Sequence, residues 1–211
     1  MEAKRMKLDH NDEDSRDSNS LSSCSVASTS AAPSEIPGDG LSSKDPAEVE
    51  QALKKLKTTL RSKAAIQRFM ESSSDTLSAV IAVLVKSAVD IGSKNPAWLT
   101  VLKESISVVA NCCNYSIAAC LKMAASRVAF THIAVRVFES SSVKQDCKTS
   151  MARLIANMCL HKEPAYCIAS NPSLVDRLVL MLDADDPTAA HALRAVRGLV
   201  ASTYIKVGCV C

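Results

Sequence analysis

The sequence predicts an all-α chain preceded by a tail that does not fold by itself, and three observations carry that expectation. Aromatic residues make up 3% of the 211 residues while the apolar set reaches 47%. A core must therefore be assembled from Ala, Val, Leu, Ile, Cys and Met, which suits closely packed helices better than a β-sandwich. From residue 45 onward, stretches with apolar residues three and four apart follow one another, the spacing of one helix face. Several of them are introduced by a capping side chain and a proline, as in Asn95-Pro96, Asn171-Pro172 and Asp186-Pro187.

Residues 1–44 are rich in Ser, Asp, Asn, Pro and Gly. They hold too few large apolar groups to offset the entropy of ordering, so a disordered tail is expected, with serines that are candidate kinase substrates. Order begins at Asp45, an N-cap followed by Pro46 at the first helical position. Glu48 is placed to close a capping box, and Val49, Ala52, Leu53, Leu56 and Leu60 fall at helical spacing.

This predicts a helix over 46–70, either continuous or broken around Ser62. Ser74 or Asp75 caps a helix over 75–91, which Gly92 ends. Further helices are expected over 96–113, 117–125, 127–139, 143–160, 164–170, 172–183 and 187–204, and no strand competes with them. The organisation read from these elements is a tail over 1–44, an N-terminal capping helix or helices over 45–70, helical repeats over 71–205 and an unstructured end over 206–211.

Several function classes are excluded by what the residues lack. A formal charge of +3 is too slight to argue for nucleic acid, and no later stretch interleaves Lys and Arg with aromatics. Nine cysteines without CxxC spacing, behind the charged start MEAKRMKLD, point to a reducing compartment and to thiols used as small apolar groups. The most apolar run, Leu77 to Ile91, contains Lys86 and Asp90 and falls short of the roughly 20 apolar residues a membrane span needs. His132, His161 and His191 have no paired nucleophile. The clusters Cys159, His161, Cys167 and Cys112, Cys113, Cys120 do not converge as four ligands would. Catalytic residues, metals and cofactors are thus not expected, and the chain reads as a non-enzyme.

What the sequence does contain is a repeat. Val108–Cys113, Leu154–Cys159 and Ala195–Val200 align, placing Asn111, Asn157 and Gly198 in one frame, 46 and 41 residues apart, a period proper to helical repeats. The order of elements recurs too. A short helix (Ile117 to Ala125; Pro164 to Ala169) precedes a middle helix (Arg127 to Phe138; Ser173 to Leu182), a small polar turn (ESSSV; DADDP) and a long helix carrying the hexamer.

Asn171 to Ser202, "NPSLVDRLVLMLDADDPTAAHALRAVRGLVAS", resembles the second and third helices of an armadillo repeat. LVDRLVLML matches the leucine-rich second helix. AVRGLV, LIANMC and VVANCC match the third-helix signature A-L-x-N-L-A. The resemblance spans roughly residues 75–204 and shades into HEAT repeats. It implies an α-solenoid of about three units whose third-helix asparagines, here Asn111 and Asn157, line a concave face and grip the backbone of an extended partner peptide. Gly198 interrupts that ladder.

The physical sense is independent of the family, because an amide both donates and accepts and a row of them one repeat apart can follow an extended chain. Steps of three or four along the same helix faces add Glu104, Ser107, Ser150, Arg153, His161, His191 and Arg194. This mixed, mildly basic strip suits a peptide of some acidic character. An asparagine near the end of a long helix also serves to cap it or to bond its neighbours, and the recurrence in one frame favours the groove.

At the start, "KRMKLD" resembles the short nuclear signal of Myc transcription factors, K-R-V-K-L-D. It implies a nuclear import receptor as a partner through Lys4, Arg5 and Lys7, and a nuclear location with the cytoplasm as a second one. The last residues, "GCVC", carry Cys209 and Cys211 in the C-x-C arrangement that is lipidated in Rab GTPases. No GxxxxGK[ST] segment accompanies it, so a shortened end is the expectation and membrane attachment is not. The last helix would leave Leu193, Val196, Leu199 and Val200 partly bare, to meet another subunit, a partner or further solenoid.

The function expected is a non-enzymatic scaffold or adaptor that binds an extended peptide or partner, in the nucleus. The alternatives are a cytoplasmic signalling or cell-polarity adaptor and a helical regulatory subunit of an enzyme complex.

Overall fold

A computed structural model describes residues 39–72, 74–92, 95–125, 127–183 and 186–207. The chain divides into two units, Met1–Ser34 and Glu35–Cys211, and every described residue belongs to the second. Residues 1–38 of the expected tail, with the basic signal at Lys4, Arg5 and Lys7, and Cys209 and Cys211 lie outside the described residues. The tail's last residues are a correction, since Leu41 is buried in the core and Ser43 bonds Glu48, so order begins ahead of Asp45.

The described residues form ten α-helices and no strand. They are α1 (Pro46–Thr59), α2 (Lys63–Ser72), α3 (Ser74–Val89), α4 (Ala97–Tyr115), α5 (Ile117–Ala125), α6 (Arg127–Glu139), α7 (Gln145–Met158), α8 (Lys162–Ala169), α9 (Pro172–Leu180) and α10 (Pro187–Val207), with a 3₁₀ turn at Met181–Asp183 after α9. The punctuation does what its chemistry predicts. Asp45 Oδ1 accepts from the Ala47 amide at 2.9 Å, Asn95 Oδ1 from Ala97 at 3.1 Å, Asn171 Oδ1 from Leu174 at 3.1 Å and Asp186 Oδ1 from Thr188 at 2.6 Å. Each relieves a donor that the first helical turn leaves unsatisfied.

Two local expectations are corrected, the capping box and the 143–160 helix, and one alternative is decided. Glu48 does not close a capping box, since its carboxylate takes the Ser43 hydroxyl at 2.6 Å while the Asp45 amide donates to Ser43 Oγ at 3.0 Å. Of the two readings of 46–70, the one broken around Ser62 is observed: α1 stops at Thr59 with Leu60 as its C-cap, and Ser62 Oγ accepts from the Ala65 amide at 3.2 Å to open α2. The 143–160 helix is shorter at both ends. Val143 is a buried core residue ahead of α7, while the amides of Leu160 and His161 fold back onto the carbonyls of Asn157 and Met158 in a tight turn.

The repeat is visible in which helices touch. α1, α4, α7 and α10 pack in succession as one row, α3, α6 and α9 as a second, and α5 contacts α8 in a third. Three units, α2–α4, α5–α7 and α8–α10, thus follow the row begun by α1. One continuous apolar cluster runs through them from Leu41 to Leu199. α4 and α7 are buried on most of their circumference, because each lies between two row neighbours. Stability in such a chain is close to a sum over neighbouring units.

Six cysteines, at 112, 113, 120, 147, 159 and 167, are buried and form no disulfide. Burial pushes Cys112, Cys147 and Cys159 up to about 12, so they stay protonated and pack as small apolar side chains.

Candidate functional site

The site is built where the ends of the row helices meet. Leu60 follows α1 as its C-cap, and the Asn111 side chain of α4 donates Nδ2 to the Leu60 carbonyl at 3.2 Å. One unit later the arrangement repeats: Asn157 Nδ2 donates to the Ala110 carbonyl at 2.9 Å. Asn157 Oδ1 in turn accepts from Arg194 Nη2 of α10 at 3.2 Å. Each amide straps its helix to the row neighbour before it.

Beside these straps lies a cleft of about 310 Å³. Its lining begins with Leu60 and Arg61 after α1, continues with Asn111, Asn114 and Tyr115 of α4, and closes with Arg153 and Asn157 of α7 and Arg194 of α10. It contains three guanidinium groups and no carboxylate. Among the described residues, none of the ion pairs involves Arg61, Arg153 or Arg194.

The electrostatics follow from that imbalance. Burial alone lowers the pKa of Arg153 from its ordinary value, because its half-buried guanidinium has no anion to offset lost hydration. His191, on the turn of α10 before Arg194, is also held below the usual histidine range, first by burial and then by the charges of Arg194 and Arg153. Its Nδ1 is buried without a hydrogen-bond partner. Both arginines therefore act on one small region.

Of the nine residues the sequence nominates for partner contact, Asn111, Arg153, Asn157 and Arg194 line this cleft together, and His191 feels its charge. The other four do not line it. Glu104 is 5% exposed and ion-paired with Lys57 of α1, so its carboxylate is consumed inside the row. Ser107 is buried with its hydroxyl turned back onto Lys103 O at 2.9 Å, and Ser150 Oγ bonds Asp146 O at 2.9 Å. His161 stands in the turn before α8, off the α7 face, because α7 ends at Met158. Asn157 itself is 2% exposed, its amide hydrogen-bonded within the chain and not open for a peptide backbone.

Arg61, Asn114 and Tyr115 were missed. Asn114 and Tyr115 stand three and four residues after Asn111, and the same step rule reaches them once α4 extends to Tyr115 and not to residue 113. Arg61 becomes a lining residue only because the chain breaks at Leu60.

Among the described residues no group of three or more His, Cys, Asp or Glu is placed to hold a metal, and no single helix is long and apolar enough to cross a membrane.

No protein-family model and no curated protein matches the sequence. Solved structures do match in fold. A designed armadillo repeat protein in complex with the peptide (KR)4 superposes with a TM-score of 0.59 at 21% identity, over 80% of this chain and 70% of that one. A second designed armadillo repeat protein gives 0.60 at 20% identity, over 80% and 71%. An engineered protein gives 0.59 at 19%, over 79% of this chain and 66% of its own. At such identities the likeness is one of architecture: the chain has the fold of an armadillo-type α-solenoid.

Proposed function

We propose that this chain is a non-enzymatic interaction scaffold that holds an extended peptide, or an extended segment of a partner protein, along the face formed by the ends of α1, α4 and α7 and the Arg194 turn of α10. The observation that supports it most is the convergence of Asn111 of α4, Arg153 of α7 and Arg194 of α10, one from each of three successive units, on one cleft, which gives a partner chain polar contacts one repeat apart. The same lining pairs no nucleophile with a base, in keeping with binding and not chemistry. That a structural neighbour's fold carries a bound peptide agrees with this use of the architecture.

The test is proximity labelling in cells with the native chain and with a Tyr115→Ala, Arg153→Ala variant, two side chains without a hydrogen bond or ion pair among the described residues. Partners lost at an unchanged melting temperature are the expected result. An identical partner set would remove this face from the interaction.

Two finer elements complete the reading. Lys4, Arg5 and Lys7 direct the chain to the nucleus through an import receptor, and their replacement by Ala is expected to leave it in the cytoplasm. If location is unaffected, the cytoplasmic adaptor is the better account. Leu193 and Val200 of α10 remain 51% and 46% exposed, while Leu199 is already buried. A second copy or a further helical unit covers that strip, to be checked by sedimentation of Leu193→Lys against the native chain.

A further inference from the structure

We propose that the cleft is an anion-recognition site, which seats an acidic side chain of the partner peptide, a carboxylate or a phosphoryl group, against Arg153 and Arg194 with Arg61 as the third cation. The proposal rests on the peptide-scaffold reading and adds the chemistry of its ligand.

Charge is the first argument. Three guanidinium groups share about 310 Å³ of space with no acidic residue in the lining. Two other row cations are paired with acids of a neighbouring row helix: Lys57 with Glu104, and Lys103 with Asp146. Had the arginines been needed only to tie units together, the same solution was open to them. A half-buried, unpaired guanidinium such as Arg153 is costly until an anion arrives, and it then makes short, charge-assisted, two-pronged hydrogen bonds.

Preorganisation is the second. Arg153 and Arg194 occupy equivalent places on successive third helices, each four residues before the frame position of Asn157 and Gly198. Arg194 is oriented by Asn157 Oδ1, and Asn157 is itself fixed by the Ala110 carbonyl. Arg153 and Arg194 line the same cleft, and both charges, after burial, hold His191 below the usual histidine range. Little side-chain ordering then remains to be done on binding.

Size and sign select the ligand class. The volume suits one headgroup, with the remainder of the peptide running along the row. A basic peptide such as the (KR)4 of the structural neighbour would meet like charge here. A nucleic acid would need a cationic surface far beyond one cleft.

Fluorescence anisotropy on the full chain decides it, with labelled (DE)4, the same octapeptide carrying phosphoserine for glutamate, and (KR)4. An acidic peptide is expected to bind at least tenfold tighter than (KR)4, with affinity falling as salt rises. Arg61→Gln with Arg153→Gln is expected to reduce that binding tenfold or more, while Lys162→Gln, the same charge loss per site outside the cleft, leaves it within twofold. Preference for the phosphoserine peptide together with competition by inorganic phosphate assigns a phosphoryl group; preference for (DE)4 assigns a carboxylate. Binding that ignores peptide charge and survives the arginine replacements would overturn the anion site and leave the scaffold intact. Failure of all three peptides to bind would overturn both.

Discussion

The junction between α4 and α7 and the junction between α7 and α10 occupy equivalent places in the repeat, yet they are closed by opposite means. At the first, Asn157 sends its amide to the Ala110 carbonyl of the preceding row helix. At the second, the frame position is Gly198, and a Cβ there would lie 2.5 Å from the Cys159 carbonyl oxygen and 2.8 Å from Cys159 Cβ. One junction is bridged by a side chain and the other by direct approach of backbone. The frame position is thus a point of contact between successive row helices, and its residue serves packing between units. What the repeat presents to the cleft sits one turn earlier, at Arg153 and Arg194.

Giving the second junction a side chain should do the most damage. Gly198→Val forces a branched Cβ against a backbone carbonyl that cannot swing aside. The expected loss is about 3 kcal/mol, toward the upper end of overpacking costs, read as a shifted midpoint in urea with α-helical circular dichroism. A variant as stable as the native chain would mean that α10 is free to move off α7. Next in size is Asn157→Ala, which removes both the strap to Ala110 and the support of Arg194 at a site 2% exposed; about 2 kcal/mol is expected. Asn111→Ala removes one bond at a half-buried site and should cost about 1 kcal/mol. Equal losses for the two asparagines would show that burial at Asn157 adds nothing to its strap.

The same contrast explains how much was legible beforehand. Helix starts were readable because Asp45, Asn95, Asn171 and Asp186 act locally, through bonds to amides two or three residues away. The repeat was readable because a shared frame needs no coordinates. The use of the frame was not, because Asn111 and Asn157 find their partners at Leu60 and Ala110, carbonyls whose positions depend on how one unit is set against the last. Glu104 looked like a surface group for a related reason: nothing in α4 alone reveals that α1 covers it and supplies Lys57. Gly198 read as an interruption of a ladder, whereas it is the price of close approach.

His191 tests the cationic side of the α7–α10 junction through pH. Its pKa in the fold is lower than in the unfolded chain, owing to burial and to Arg194 and Arg153. As pH falls below about 6.5, the usual histidine value, the unfolded state takes up the proton first and the fold loses stability. His191→Gln should flatten the decline in melting temperature between neutral pH and pH 5, and an anion bound in the cleft should do the same for the native chain. A decline unchanged by the substitution would place its origin in other groups.

Salt separates the junctions by a smaller margin still. α4 and α7 share an ion pair between Lys103 and Asp146, and this hydrogen bond is the leading cause that holds the Asp146 carboxyl below its usual range. Its contribution is present at neutral pH and lost as acid protonates the carboxylate. α7 and the start of α10 are joined instead through Gln145 Nε2, which donates to Thr188 Oγ1 at 3.0 Å and to Asp186 Oδ2 at 2.7 Å, and through a 2.7 Å contact between the Thr149 and Thr188 hydroxyls. A double-mutant cycle on Lys103 and Asp146 should return about 0.5 kcal/mol, since both groups are largely solvated, and should fall toward zero in 1 M NaCl, where the screening length is about 3 Å. A cycle on Gln145 and Thr188, two neutral side chains, should keep its coupling at the same salt concentration. If both couplings persisted in salt, the Lys103–Asp146 contact would be acting through packing of the lysine stem and not through charge, and the two junctions would differ only at the frame position.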